Sequence, residues 1–208
     1  MQRKLSYLGL FILLTGCAIS RKVDYDAIVA NVPSFNESIG IATWDQREQV
    51  VKGARQSDFV GYTRSAAGIA YPMGTASGKP LADIMSADIS NSLTKKGNKN
   101  SVIATSCTQK EKNILDQLKK SSRNRLILIK CIRFHTDGYG AQALLYDLQL
   151  NIYSQNGDII KQKDFSGKRE LGGSVAWGPG KYKQYMPEAC KKLLEEIFND
   201  PEIVASLQ

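Results

Sequence analysis

Few residues in this chain have both the type and the spacing to do chemistry. His135 is the only histidine, so any Ser-His-Asp relay would have to use it, with Asp137 two residues on. Both close an apolar run that reads as a strand, where a histidine near solvent is the simpler account. No His or Cys cluster has metal-ligand spacing, so no metal site is expected. Gly74-Thr75-Ala76-Ser77-Gly78-Lys79-Pro80 has the look of a phosphate loop. It carries three residues rather than four between its glycines, and Pro rather than Ser or Thr after the lysine. It reads as a loop ending at a helix start, and no cofactor is expected. Gly138-Tyr139-Gly140 reads as a turn between strands, and Glu195-Glu196 as part of a solvated helix face. Four cysteines remain to be placed: Cys17, Cys107, Cys131 and Cys190. In an oxidising compartment two of the last three would pair, or all three would stay as thiols. Asp45-x-Arg47 has two readings: a structural ion pair at a sheet edge, or a device that orders the following loop against a partner.

The setting of Cys17 is the most informative. Met1-Gln2-Arg3-Lys4 opens the chain, an apolar run from Leu5 to Leu14 follows, and Leu14-Thr15-Gly16-Cys17 ends it. A basic start and a short apolar core have the layout of a secretory signal. The run is too short to span a bilayer, which takes about 20 apolar residues. The tetrapeptide resembles the lipobox of bacterial lipoprotein precursors. That resemblance implies a diacylglyceryl group on the Cys17 thiol, removal of residues 1–16, and acylation of the new amino terminus. One acyl chain anchors only marginally, whereas several hold firmly. Ala18, in place of the Asp that commonly retains such proteins at the inner membrane, implies an outer-membrane address facing the periplasm.

Removing residues 1–16 from 208 leaves 192, and taking Arg3 and Lys4 from 28 basic residues leaves 26 against 20 acidic, a net charge of +6. The basic residues are spread along the chain without a dense block, so nucleic acid is not an expected partner. Residues 17–36 read as a lipidated amino terminus and tether, and 37–208 as a single periplasm-facing domain.

Within that domain, Ser38 to Trp44 reads as a strand with Ile39, Ile41 and Thr43 on one side. Asp58 to Ser77 mixes glycine, aromatic and β-branched residues without a helical period and reads as an extended hairpin or long loop. Its glycine content and irregularity disfavour a membrane-spanning hairpin of a ring-forming channel subunit. Pro80 to Lys96 is a predicted helix, with Pro80 at its first position and Gly97 as its stop. Val102 to Thr105 reads as a strand, and Thr108 with Glu111 as a capping box for a helix reaching Lys120. Three strands follow, over 125–134, 144–152 and 158–169, the last two joined by a tight turn at Asn156-Gly157. A glycine-rich loop over 172–180 carries Trp177. A last helix ends near Asn199, with Pro187 in its first turn. The fold class expected is α/β of the α+β type: a mixed, mostly antiparallel sheet with helices packed on one face.

A strand ending in Asp45-x-Arg47, then Val60-Gly61, then a helix ending Leu93-Thr94-Lys95-Lys96-Gly97, resembles small envelope lipoproteins of the YajG-like kind. The resemblance covers about residues 38–105 and implies a periplasm-facing α/β domain without catalytic residues. The function expected is a non-enzymatic interaction or assembly role at the outer membrane, with the membrane reached through lipid on Cys17 and an envelope protein as partner. Asp45, Arg47, Tyr62, Tyr71 and Trp177 are the candidate contact residues. The alternative is a binding module or enzyme for an envelope glycan or lipid.

Overall fold

The computed structural model describes residues 22–25, 28–64, 67–137, 142–172 and 182–208. Cys17, Trp177 and the Gly138–Gly140 turn lie outside these residues. In chain order the elements are β1 (Lys22–Val23), β2 (Ile39–Asp45), α1 (Glu48–Val51), β3 (Phe59–Arg64), β4 (Ala70–Thr75), α2 (Leu81–Lys95), β5 (Asn100–Val102), α3 (Glu111–Lys120), β6 (Arg125–Asp137), β7 (Gln142–Ser154), β8 (Ile159–Gly172), α4 (Tyr182–Phe198) and α5 (Pro201–Leu207). The strands form one mixed sheet, as the α/β expectation requires.

β6 organises that sheet. Along one edge it pairs antiparallel with β7, which pairs antiparallel with β8. Along its other edge it has two parallel partners placed end to end. β2 runs beside Arg125–Cys131, and β3 touches only further up, where Gly61 lies beside Thr136. β4 pairs antiparallel with β3, β1 pairs parallel with β4, and β5 pairs parallel with β2. Leu126, Ile127, Leu128 and Ile129 are all buried because this part of β6 is covered on both faces, which is why its sequence is continuously apolar rather than alternating.

On one face, Ile39, Ile41, Ile127, Ile129, Leu148 and Leu150 pack against α2, α4 and α5. On the other, Ala42, Leu126, Leu128 and Tyr153 meet Ile114 and Leu118 of α3. Helices therefore cover both faces, in place of the single helical layer expected. The amphipathic pattern of α3 shows that it must bury a face, but not which side of the sheet receives it.

Local chemistry sets the element ends. α2 starts one residue inside the predicted span, with Pro80 as its cap residue, and stops at Gly97, which takes a φ of 83°. The Asn98 amide donates to the Leu93 carbonyl at 3.1 Å and closes the last turn. The expected Thr108–Glu111 capping box does not form. α3 begins after Lys110 without a side-chain cap, and Glu111 instead pairs with Lys130 (2.8 Å) and accepts from the Tyr153 hydroxyl (3.2 Å). The strand expected at 102–105 sits earlier, at Asn100–Val102. Pro187 lies inside α4 rather than in its first turn. Because the helix starts at Tyr182, the missing N–H removes one bond, the one that would reach the Lys183 carbonyl. α5 was not expected. Asp200 caps it, accepting from the Glu202 (3.1 Å) and Ile203 (3.3 Å) amides, with Pro201 in the first turn.

The tether expected over 17–36 is corrected for its described part. Val23, Tyr25, Ile28, Ala30, Val32 and Phe35 are buried. The Ala30 amide donates to Ser92 Oγ (2.9 Å), the Asn31 amide to Glu195 Oε1 (2.8 Å), and Asn98 Nδ2 to the Phe35 carbonyl (2.6 Å). Irregular backbone can lie this deep because side chains of α2, of α4 and of Asn98 just past the α2 stop satisfy its polar groups. This described part straps those helices down and is packed on the domain rather than extended as a spacer.

Two outcomes test this packing. Gly61 has a φ of 142°, and a Cβ there would lie 2.4 Å from the Thr136 amide nitrogen and 2.5 Å from its carbonyl oxygen. Gly61→Ala should lower stability by about 2–4 kcal/mol, combining backbone strain with overpacking, read as a fall in the urea midpoint. Lys163 contacts Asp200 (2.8 Å) and Glu202 (2.7 Å), and Lys161 also pairs with Glu202. Hydrogen bonds from Lys161 and then Lys163 hold the Glu202 carboxyl down at about 2, and the Lys163 hydrogen bond lowers Asp200. Acids held low in the folded state stabilise it above their unfolded values, near 4, and that help is lost as pH falls toward 2. Amide exchange in α5 should therefore quicken over that window, and Lys163→Met should flatten the dependence.

Candidate functional site

The end-to-end placement of β2 and β3 along β6 leaves a seam, and Asp45 and Arg47 fill it. β2 carries Asp45 to the seam, and the chain then turns so that the Gln46 amide donates to the Cys131 carbonyl at 2.9 Å. Arg47 reaches back over its own backbone. Its Nε donates to Asp45 Oδ1 (2.8 Å) and Nη2 to Asp45 Oδ2 (2.7 Å), a bidentate pair. Nη2 also donates to the Ser57 carbonyl (3.1 Å), and Nη1 to the carbonyls of Phe134 (3.3 Å) and Phe59. Each of the five guanidinium N–H groups thus has an acceptor. Phe134 lies on the stretch of β6 that neither β2 nor β3 reaches, so Arg47 stands in for the missing strand.

Both side chains are almost wholly out of water, at 5% and 6% exposure. Burial alone would make the Arg47 charge harder to hold, but the Asp45 hydrogen bonds more than offset this and the guanidinium is held above its ordinary value. Of the two readings of Asp45-x-Arg47, the geometry is that of a structural ion pair. The expectation that these residues form a contact surface is corrected, because no partner can touch groups at that depth.

A second arginine organises the end of the β3–β4 hairpin. Arg64 makes a bidentate pair with Asp137 at the end of β6 (Nε–Oδ1 and Nη2–Oδ2, both 2.9 Å), and its Nη1 donates to the Gly68 carbonyl at 3.2 Å. One side chain therefore fixes the turn of the hairpin against the central strand. The sequence does not point to this pairing, because 73 residues separate the two side chains. Tyr62 and Tyr71, the two hairpin tyrosines expected to make contacts, are each half-buried. The Tyr62 ring meets Phe59 edge-on at 5.0 Å, and the Arg55 guanidinium lies over it at 5.5 Å.

α3 covers only the part of its sheet face that lies beside β2. Past the bulge at Cys131–Arg133, that face carries Ile132, the exposed Arg133, His135 and Asp137 from β6 and Tyr62 and Arg64 from β3. Ile132 is 44% exposed. His135 is half-buried, and burial pushes its imidazole below the ordinary value, with Asp137 opposing. Both Asp137 carboxylate oxygens bind Arg64, so of the two residues read for a relay, Asp137 holds the hairpin instead.

The remaining residues read for chemistry have structural places. Thr75, buried at the end of β4, donates to the Lys79 carbonyl (2.9 Å), so the phosphate-like loop closes on itself before α2. Cys107, Cys131 and Cys190 are free thiols. Burial pushes Cys131 up to about 12 and Cys190 higher still, which keeps both protonated and unreactive. Among the described residues no group of His, Cys, Asp or Glu could hold a metal ion, and no helix is long and apolar enough to cross a membrane.

Arg47→Met would leave the Asp45 carboxylate buried without its partner. The loss should be about 3–5 kcal/mol in urea unfolding. An Asp45→Leu/Arg47→Met double variant should regain only part of it, because the Ser57, Phe59 and Phe134 carbonyls stay without their donor. Full recovery would reduce Arg47 to a counter-ion.

No protein-family model matches the chain, and no curated protein matches it in sequence. Solved structures do. The chain is similar to a Xanthomonas campestris protein of the DUF330 family, at 14% identity and a TM-score of 0.46, over 85% of this chain and 91% of that one. It is also similar to the PelC dodecamer from Paraburkholderia phytofirmans (8% identity, TM-score 0.41, 85% and 94% covered). A third is the lipoprotein GNA1162 from Neisseria meningitidis (11% identity, TM-score 0.31, 78% and 99% covered). No residue or activity is carried over from them.

Proposed function

We propose that the mature chain is a lipid-anchored protein of the bacterial envelope, held at the outer membrane through Cys17, that acts by contact with another envelope protein and not by catalysis. The anchor rests on the order of features at the amino terminus: a basic start, a short apolar core, then Leu14-Thr15-Gly16-Cys17. The observation that carries the contact role is the half of the sheet face on which, among the described residues, α3 does not lie. There a half-buried tyrosine, an exposed isoleucine, a half-buried histidine and the Arg64–Asp137 pair lie on the neighbouring strands β3 and β6. Aromatic, aliphatic and arginine side chains on rigid strands have the composition of a protein contact. The polar groups that would serve catalysis elsewhere hold the architecture together here. Asp45 and Arg47 seal the seam, and Asp137 holds the hairpin.

The test is in-cell photocrosslinking from a photoreactive residue replacing Ile132 in the full precursor, with Cys17→Ala as the unanchored control. A discrete envelope protein should be captured and then lost in the control. A lane with no discrete product, together with binding of glycan fragments to the purified protein, would move the function to a ligand-binding role.

A further inference from the structure

Three strands end the sheet, and they differ in length: β1 has 2 residues, β5 has 3 and β8 has 14. Among the described residues β8 pairs only with β7, so its outer edge presents a row of backbone donors and acceptors. Such an edge is a template for another strand, and folded chains blunt it by shortness, proline, bulges or charge. Shortness blunts β1 and β5. β8 has no proline, and its ladder with β7 is regular from Lys161 to Glu170, with register shifts only beyond those two residues. That run makes an edge of roughly 30 Å.

Most of its basic side chains are drawn off the edge. Lys161 and Lys163 reach Glu202 and Asp200, and Arg169 reaches Glu196, all in the helical layer. The opposite face of β8, on the α3 side of the sheet, carries Gln162, Asp164, Ser166, Lys168 and Glu170, all exposed.

This order of charges is self-complementary. When a strand pairs antiparallel with its own copy, the twofold axis stands perpendicular to the sheet and passes beside one residue, so that side chains meet on the same face. With Ser166 on the axis, Asp164 lies opposite Lys168 of the second copy and Lys168 opposite its Asp164, two opposite-charge pairs. Gln162 meets Glu170, and Phe165 meets Gly167, a glycine over which Tyr146 already leans. An aromatic ring opposite a glycine is a favourable cross-strand pair. Lys163 meets Arg169 on the helical face, where Asp200, Glu202 and Glu196 supply acid to both. The neighbouring registers lack this match. Gly167 on the axis sets Asp164 against Glu170, and Asp164 on the axis sets that aspartate against itself. Phe165 on the axis sets Gln162 against Lys168 and leaves Asp164 opposite Ser166.

We infer that β8 is a self-association edge: two copies of the chain pair β8 antiparallel with Ser166 on the twofold axis and join their sheets into one. The α3-side faces of both copies then lie on the same side of the joined sheet. This goes beyond the function proposed above and depends on neither the lipid anchor nor the envelope partner.

Cysteine crosslinking of the purified full-length protein tests it. Opposite residues of paired strands stand about 5 Å apart at Cβ, within reach of a disulfide, so Ser166→Cys should yield a covalent dimer on oxidation with copper phenanthroline. Two Gln162→Cys thiols would stand roughly 27 Å apart in the same register and should give only the background of the parent, which retains Cys17 and Cys107. Asp164→Lys should cut the Ser166→Cys dimer severalfold, and adding Lys168→Asp should restore it. Equal dimer at 162 and 166, none at 166, or no recovery in the charge-swapped chain overturns the pairing. In cells, a photoreactive residue at 166 should give a product of twice the chain's mass. Capture of a different protein in its place would assign the edge to that protein and overturn the inference.

Discussion

A guanidinium with one-twentieth of its side chain exposed keeps its charge only if every N–H finds an acceptor, and Arg47 meets that condition by touching four parts of the chain at once. Asp45 supplies the counter-charge, and carbonyls from Ser57, Phe59 and Phe134 supply the rest. A buried ion pair considered alone seldom adds stability, because desolvation cancels much of the attraction. Here the same side chain also satisfies backbone oxygens that the sheet cannot. β6 is longer than either strand on its β2/β3 edge, so a break in the ladder is unavoidable, and Arg47 makes that break tolerable in the interior. Gly61 is the complementary concession. It lets β3 come so close to Thr136 that the ladder resumes immediately beyond the arginine.

The rest of the molecule follows from where that seam falls. Below it, β2 and β6 are covered on both faces and form the thick part of the core. Above it, the sheet continues through the β3–β4 hairpin, the upper half of β6 and the start of β7, with helical cover on one side. The hairpin depends on the seam because Arg47 holds the carbonyl of Phe59, the first residue of β3. The amino-terminal segment is tied to the same place. Burial drives the Tyr25 hydroxyl far above its ordinary value, and the charge of Arg47 is near enough to oppose that shift.

Much of this was legible in the chain, for reasons that are local. The alternation of Ile39, Ile41 and Thr43 with Gly40, Ala42 and Trp44 gave both faces of β2, and the apolar stripe from Leu81 to Leu93 gave α2 to within a residue at each end. Asp45-x-Arg47 stood out because its partners lie two residues apart, although the three carbonyls that complete it do not. The pairing of Arg64 with Asp137 has no sequence signal, since their meeting depends on β3 landing beside the top of β6. The strap over 28–36 was missed because burial every second residue, interrupted by Pro33, is too short a pattern to distinguish from a spacer. α5 was missed although its signal was present: Asp200-Pro201-Glu202 is a cap, a first-turn proline and a first-turn acid in order. Cys17 and Trp177 lie outside the described residues.

β1 is only two residues long, yet its geometry decides how the domain bears load. A pull on the chain ahead of Lys22 acts along the strand axis, so the backbone bonds to β4 resist as a set, in shear, and do not peel one after another. Behind them the same pull must draw Val23 and Tyr25, both buried, out of the core before it reaches the strap over α2 and α4. The Lys22–Asp58 pair adds a third point of resistance at the surface. The domain thus grips its amino-terminal segment within the first few described residues.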